Sequence, residues 1–515
     1  MMGTQPSSRQ PALFSSYVDL ESRVGADHLL RQVAAVLDLS FVLPTVRPCY
    51  GRSGHVSVDP RVIIKLLLLL FLYDVPSERE LMEQVRLRLD FLWFLGFDLD
   101  SDIPDHSVLS KARARWGTAV FEQLFVQTVR QCVEAGLVNG RLLHVDSTMV
   151  KANAHKDSVV ASGPELVGAL RQAYQQQAAK LQVLPEPAAH AQTPERPPAP
   201  AQALAGKPLP VNGTHISTTD PEAQLARSKN GVTELNHKEH RLVDDAQGVI
   251  TAVAETPANV ADGTQLPALY EQHLGTTGLK LARVTMVGDH HYGTADNYIF
   301  CAQEGIRAHL GPVSANLEER GKLPLSRFVY EPAQDRLRCP QGHYLRRHQD
   351  RPEEQLKVYR IADPRACAQC ALRERCTQSK RGRSIQRHVQ AELVAAARRE
   401  ASSPAARYSR QRRQHVMEGS FADAVNNHGA KQARWRGLWR QRIQSWLIAA
   451  VQNLRILLRH QVRGPVRAAA AALARIAEEL RIMGVAVPRG WFRASGGRIL
   501  ALVPIRITPA AFVSQ

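Results

Sequence analysis

At Arg141 the spacing of apolar residues changes period, and no single architecture accommodates both sides of that change. Over residues 24–137 apolar side chains recur at intervals of three and four, and helix starts are marked by the capping box Ser77-Glu78-Arg79-Glu80 and by Pro104-Asp105-His106-Ser107. Residues 1–138 are therefore expected to form an all-helical N-terminal domain. The longest apolar run, 62–75, is interrupted by Lys65 and Asp74 and falls short of the roughly 20 residues a spanning helix needs, so it reads as a buried core helix and not as a membrane segment. Beyond Arg141, Leu142, Leu143 and Val145 make a short strand ending on Asp146, and Leu166, Leu170 and Tyr174 mark one face of a helix. Residues 234–243 and 249–256 read as a hairpin turned by Asp244-Asp245-Ala246-Gln247-Gly248. A helix over 261–272, a strand over 284–287 ending at Gly288-Asp289, a helix over 295–303 and a strand over 307–310 follow. Strand, hairpin, helix, strand, helix is an α/β order, expected to fill residues 139–310.

Two stretches break that rhythm. Residues 184–212 are so rich in Pro, Ala and Gln that they bury little surface and read as a flexible segment. Residues 311–379 hold Cys339, Cys367, Cys370 and Cys376 and read as an inserted Cys-containing subdomain. Helical spacing returns over 380–462, where a long helix carries Trp439, Ile443, Trp446, Leu447, Ala450 and Leu454, and residues 463–515 form a C-terminal extension without a functional reading.

Lys and Arg exceed Asp and Glu by 66 − 48 = 18, a balance that points to a polyanionic partner, nucleic acid first. Lys111, Arg113 and Arg115 on one capped helix suit phosphate contact or a solvated basic face. Positive charge is dense again over 380–413 and 431–442, where Lys431, Arg434 and Arg436 surround Trp435. Trp439 and Trp446 recur with Ile443 and Leu447 and read as core. The N-terminus lacks a charged start, an apolar stretch and a cleavage site, which points to the cytoplasm and, with DNA as partner, the nucleoid. Seven unevenly spread cysteines argue against a disulfide framework. Cys367-x-x-Cys370, with Cys376 and Cys339 or His343, has donors for one structural Zn²⁺, against the alternative of reduced thiols without metal. Cys49, Cys132 and Cys301 read as core residues.

Asp146 and Asp289, each closing a short strand, can share a divalent cation, or each can simply end its strand. Their surroundings, His144-Val145-Asp146-Ser147-Thr148-Met149-Val150-Lys151-Ala152 and Val287-Gly288-Asp289-His290-His291-Tyr292-Gly293-Thr294, resemble the DDE transposases of bacterial insertion sequences, in particular the group with an InsH-like N-terminal domain. Thr148, Lys151, Ala152, Tyr292 and Gly293 stand where that pattern puts them. The segment Arg413-Gln414-His415-Val416-Met417-Glu418-Gly419-Ser420-Phe421 matches the family's basic residue, Glu and Phe on one helix. The resemblance implies that Asp146, Asp289 and Glu418 hold Mg²⁺ or Mn²⁺ in a ribonuclease-H-like domain. Glu392 and Glu400 compete with Glu418 on position alone. It further implies cleavage at insertion-sequence ends and strand transfer into target DNA, with duplex terminal inverted repeats as partner and a homodimer at synapsis. Lys151, Tyr292 and Arg413 then join the expected DNA contacts, and His290 contacts DNA or opens a helix. Where the family commonly has a Lys one turn on, this chain has Val425, leaving Arg413, His428 and Lys431 to supply charge. The alternatives are a ribonuclease-H-like nuclease that does not join strands and a zinc-containing DNA-binding protein that has lost catalysis.

Overall fold

The computed structural model describes residues 2–3, 19–53, 55–180, 211–227, 231–312, 323–324 and 327–482. The expected flexible segment over 184–212 lies almost wholly outside these residues, and so does the tail beyond 482. The chain divides into two units, Met1–Asn453 and Leu454–Gln515. The described part of the second is the distal stretch of a helix that begins in the first.

The N-terminal region is helical: α1 (Leu20–Arg23), α2 (Leu29–Val36), α3 (Val42–Val46), α4 (Pro60–Leu72), α5 (Glu78–Leu87), α6 (Leu89–Leu95), α7 (Ser107–Trp116) and α8 (Ala119–Glu134). In α4 the side chains from Leu66 to Phe71 are all buried, as the apolar run predicts. Asp59 accepts from the Arg61 N–H at 2.8 Å and Pro60 occupies the first turn, where its missing N–H costs nothing. Ser77 caps α5, accepting from the Glu80 N–H at 3.1 Å. Among the described residues no helix is long and apolar enough to cross a membrane.

The α/β region is built on a six-stranded sheet. Its strands are β1 (Leu142–Lys151), β4 (Gln224–Arg227), β5 (Thr233–Asp244), β6 (Ile250–Pro257), β7 (Val284–Gly288) and β8 (Ile306–Leu310), while β2 (Val159–Ala161) and β3 (His215–Ser217) pair separately. The order is β4-β5-β1-β7-β8, with β6 also on β5. β5 runs antiparallel to β1, β4 and β6, whereas β7 is parallel to both β1 and β8. The hairpin and the strand endings match the sequence reading closely, with one correction. β1 does not stop at Asp146 but continues to Lys151, because β5 pairs with it from Leu143↔Asp244 to Lys151↔Asn236.

Of the helices that follow β1, α9 (Pro164–Lys180) buries Val167 and Ala178. Leu166 and Leu170 are exposed instead, so the buried face is turned one residue from the one expected. α10 (Val211–Thr214), α11 (Leu266–Thr277) and α12 (Ala295–Gln303) come next. One face of the sheet, with Leu143, Val145, Leu242, Met286 and Leu310, forms an apolar core with Leu266, Leu269, Tyr298 and Ile299 of α11 and α12.

A second, five-stranded antiparallel sheet has the order β13-β12-β11-β10-β9. Its strands are β9 (Val329–Glu331), β10 (Arg336–Arg338), β11 (Tyr344–Arg351), β12 (Leu356–Ile361) and β13 (Ser384–His388), and the short helices α13 (Pro364–Ala368) and α14 (Arg373–Cys376) lie within it. This sheet has its own small core of Leu337, Leu345, Tyr359, Ile361 and Ile385. Its last strand extends to His388, past the expected end at 379. Then come α15 (Ala391–Ala401), α16 (Pro404–His428) and α17 (Leu438–Ile482). Trp439 and Trp446 of α17 are each 4% exposed, as their spacing predicts.

Candidate active site

The last residues paired between β1 and β7 are His144 and Val287. Two residues beyond that pair stand Asp146, within β1, and Asp289, the first residue past the end of β7, so the parallel register brings both aspartates to the same end of neighbouring strands. Their proximity is felt electrostatically. Burial holds the Asp146 carboxyl above its ordinary range and the Asp289 charge pushes it the same way, against the Arg413 guanidinium and the Ser147 N–H, which favour the anion. One Asp146 oxygen accepts from Ser147 N–H at 2.9 Å and the other takes the Arg413 guanidinium. Asp289 Oδ1 accepts from His291 N–H at 2.9 Å. The loop after Asp289 runs so close to the end of β8 that a Cβ on Gly293 would lie 1.8 Å from the Gly311 carbonyl oxygen. Only glycine fits there, and its closeness fixes the loop that carries Asp289.

α16 crosses the sheet on this same face. Ser409 meets His309 of β8 at 2.9 Å, Arg413 meets Asp146 of β1, and Ser420 Oγ meets Arg241 of β5 at 3.1 Å. Phe421 lies under the Arg241 guanidinium, 4.9 Å from its ring centre. Glu418 sits between Arg413 and Ser420, is exposed, and accepts from Gln414 Nε2 at 3.0 Å. The helix's direct contact with Asp146 is thus made by Arg413 and not by Glu418. Of the competing acids, Glu392 pairs with Arg387, and Glu400 lies 3.8 Å from Arg307 and 3.7 Å from His309 of β8, two strands from Asp146. Gly429 ends α16 at φ 65, where an added Cβ would collide with Asp74 and Arg434.

Two features of the site were not read from the sequence. Tyr292 is fully buried, and burial together with the negative charges of Asp262, Asp146 and Asp289 raises its hydroxyl well above the phenolic range. The phenol therefore stays neutral, as part of the apolar core near both aspartates. The second feature is a row of buried charge on β5. Arg241, opposite Asp146, binds Glu239 and Gln452 Oε1, the latter at 2.9 Å. Glu239 also accepts from Ser445 at 3.0 Å and faces Glu255 across β5 and β6. Burial pushes the Glu255 carboxyl up to about 7, with Arg442, 3.6 Å away, opposing. His237 and Asp220, both fully buried, pair at 3.1 Å, and Asp220 accepts from Gly437 N–H at 3.0 Å.

The expected DNA contacts divide by placement. Lys111, Arg115, Lys151, Lys431 and Arg436 are exposed. β1 and the loop after α16 run side by side, Lys151 N–H donating to the Lys431 carbonyl at 3.1 Å and Arg436 Nε to the Asn153 carbonyl at 3.3 Å, so Lys151, Lys431 and Arg436 share one surface. Arg113, Arg434, Tyr292 and His428 are placed differently. Arg113 is 3% exposed, pairs with Glu78 and stacks over Trp435. Arg434 binds Asp74 at 2.8 Å and the Val75 carbonyl. His428 is buried against the Phe71 carbonyl at 2.8 Å. Arg113, Arg434 and His428 tie the helical region to the α/β region; Arg113, His428 and Tyr292 are buried and Arg434 is half-buried, which sets them apart from the exposed cations.

Cys339, Cys367, Cys370 and Cys376 line one small cavity with His343 and Arg383. The Leu372 N–H points at Cys370 Sγ at 3.4 Å. Burial raises the Cys376 thiol, and the other three sulfurs raise it further. Among the described residues, the group of potential metal-binding side chains whose ligand atoms all lie within 4.8 Å of one another is Asp289, His290 and His291; the four thiols converge less tightly. Cys132 and Cys301 are buried, while Cys49 is only partly so.

Residues 18–115 match the family model described as Transposase domain (DUF772), and residues 338–458 match the one described as Transposase DDE domain. No curated protein matches the chain. A solved chain from a piggyBac transposase synaptic complex with hairpin DNA aligns at 9% identity and a TM-score of 0.33, over 84% of this chain and 73% of that one.

Proposed function

The chain is a DDE-type DNA transposase, and from that premise we propose that Asp146, Asp289 and Glu418 hold the divalent metal with which it cuts insertion-sequence ends and joins them to target DNA. The observation that supports the reading is the placement of Asp146 on β1 and of Asp289 just past the end of the neighbouring parallel strand, close enough for the Asp289 charge to raise the Asp146 carboxyl, on the face crossed by the helix that bears Glu418. Two neighbouring carboxylates, one of them half-buried and paired with Arg413, are a hard-oxygen donor set that favours a cation. Mg²⁺ or Mn²⁺ bound there would activate the attacking oxygen and stabilise the leaving one. Arg413 neutralises Asp146 without metal and, once displaced, is free to turn onto a DNA phosphate. Within the six-stranded sheet, the antiparallel run β6-β5-β1 followed by β7 and β8 parallel to β1, with α16 across it, supports a ribonuclease-H-like fold, with the second sheet as an insertion. Lys151, Lys431 and Arg436 on one surface, with Lys111 and Arg115 on α7, offer phosphate contacts for the duplex inverted repeats and the target. Bringing two such ends together calls for a homodimer.

Glu418 is the ligand with the least support from contacts, so it is the one to test. Glu418→Gln is expected to abolish cutting and joining of end DNA with Mg²⁺, while Glu392→Gln and Glu400→Gln leave both within about threefold. Normal cutting by the first, or loss with either of the others, would remove Glu418 from the set. Cut but unjoined products from the unaltered chain would instead favour a nuclease.

The four thiols around one cavity hold a structural Zn²⁺ in this reading, the Leu372 N–H stabilising thiolate at Cys370. The purified chain is expected to carry about one zinc, which Cys367→Ser removes and Cys132→Ser does not. A metal-free preparation with four freely titrating thiols would refute it.

A further inference from the structure

The outer face of the second sheet carries charge that its own stability does not explain. Strand register places Arg336 opposite Arg346, and Arg346 opposite Arg360, so three arginines stand in one row across β10, β11 and β12. Residues paired in this way point to the same side, about 5 Å apart, and like charges so placed repel. The opposite side of the same strands is the apolar core of Leu337, Leu345 and Ile361, so the row faces outward. Only its edge is compensated: Glu331 binds Arg336 at 2.7 Å and lies 3.7 Å from Arg338. Among the described residues neither Arg346 nor Arg360 meets a carboxylate. Arg336 also lies over the Tyr344 ring, 3.6 Å from its centre.

From this we infer that the Arg336-Arg346-Arg360 face is a docking surface for the phosphate backbone of duplex DNA. The inference deepens the transposase reading, assigning a second DNA contact away from the carboxylates. A guanidinium row at strand spacing is a fixed, planar donor array suited to phosphate oxygens. Phosphate oxygens are offered by every duplex alike, so a row that docks on the backbone grips DNA without regard to sequence. The mutual repulsion of the arginines is relieved when phosphates lie along them.

The test is binding of the full-length chain to labelled duplex across a range of KCl with no Mg²⁺ or Mn²⁺ added and no chelator, so that the carboxylates cut nothing and the thiol cluster keeps any ion it holds. Arg346→Ala/Arg360→Ala is expected to weaken binding about tenfold or more near 0.1 M salt and to lower the slope of log K against log salt by about two. The loss should be equal on end DNA and on an unrelated duplex. Arg346→Lys/Arg360→Lys should keep most of the slope, and Lys280→Ala/Arg283→Ala, on an exposed turn of the α/β region, should change little. A thermal midpoint unchanged or raised in the alanine pair follows from relieved repulsion. An unchanged slope in a folded variant, or a loss confined to single strands, would overturn the inference. Cutting that survives loss of Asp146 or Asp289 would overturn only the metal assignment.

Discussion

Asp146→Asn and Asp289→Asn are each expected to lower cleavage of end DNA by at least about a thousandfold, about 4 kcal/mol of transition-state stabilisation, with the chain still folded and still bound to DNA. The amide keeps the shape of the carboxylate but removes the charge and one hard ligand on which a divalent ion depends. Folding should tolerate the change. Burial and the Asp289 charge already hold the Asp146 carboxyl above its ordinary range, so a neutral group at 146 relieves repulsion while giving up the Arg413 pair, and the two effects oppose. DNA affinity should stay level or rise, since a negative charge has left a surface that meets phosphates. Asp289→Cys sharpens the test, because thiolate is a poor ligand for Mg²⁺ and a better one for softer ions: Mn²⁺ should restore cleavage to this variant and not to Asp289→Asn. Near-normal cutting by either asparagine variant would sink the metal site.

Much of this site could be read in the chain because its parts announce themselves locally. The strand leading to Asp289 and the helix after it are short apolar runs bounded by glycine and by the Thr294 cap, which accepts from Asn297 N–H at 3.2 Å. Such signals lie within a few residues of what they specify. What escaped depends on partners far away. β1 runs past Asp146 because β5 continues beside it through polar pairs such as Thr148↔Glu239, and no local apolar pattern marks that extension. Arg113 and Arg434 look like surface cations until Glu78 and Asp74 close on them from elsewhere in the chain. The hairpin over 234–243 was legible, but nothing in its own sequence marks Glu239 and Arg241 as buried, since the groups that satisfy them, Ser420, Ser445 and Gln452, come from α16 and α17. Periodicity reports which side of an element is apolar, but it cannot report that a polar side has been supplied with partners and buried.

That buried row gives the second large effect. Arg241→Met is expected to destabilise the chain by about 3–5 kcal/mol, the usual result of leaving one member of a buried ion pair alone. Arg241 is fully buried and holds Glu239, Gln452 and Ser420 at once, and Glu239 already faces Glu255 across the strands. Without the guanidinium, two carboxyls confront each other with only Arg442 near Glu255. Adding Glu239→Gln should therefore recover much of the lost stability, so the two changes are expected to be strongly non-additive in denaturant or thermal midpoints. A second consequence separates positioning from bulk stability. Arg241 ties Ser420 and Phe421, and so the turn of α16 that follows Glu418, to the strand beside Asp146. The double variant, though restored in stability, should still cut end DNA at least about tenfold more slowly, because nothing replaces that tie and small misplacements of a ligand are costly. Full recovery of cutting together with stability would show that Arg241 only fills the core.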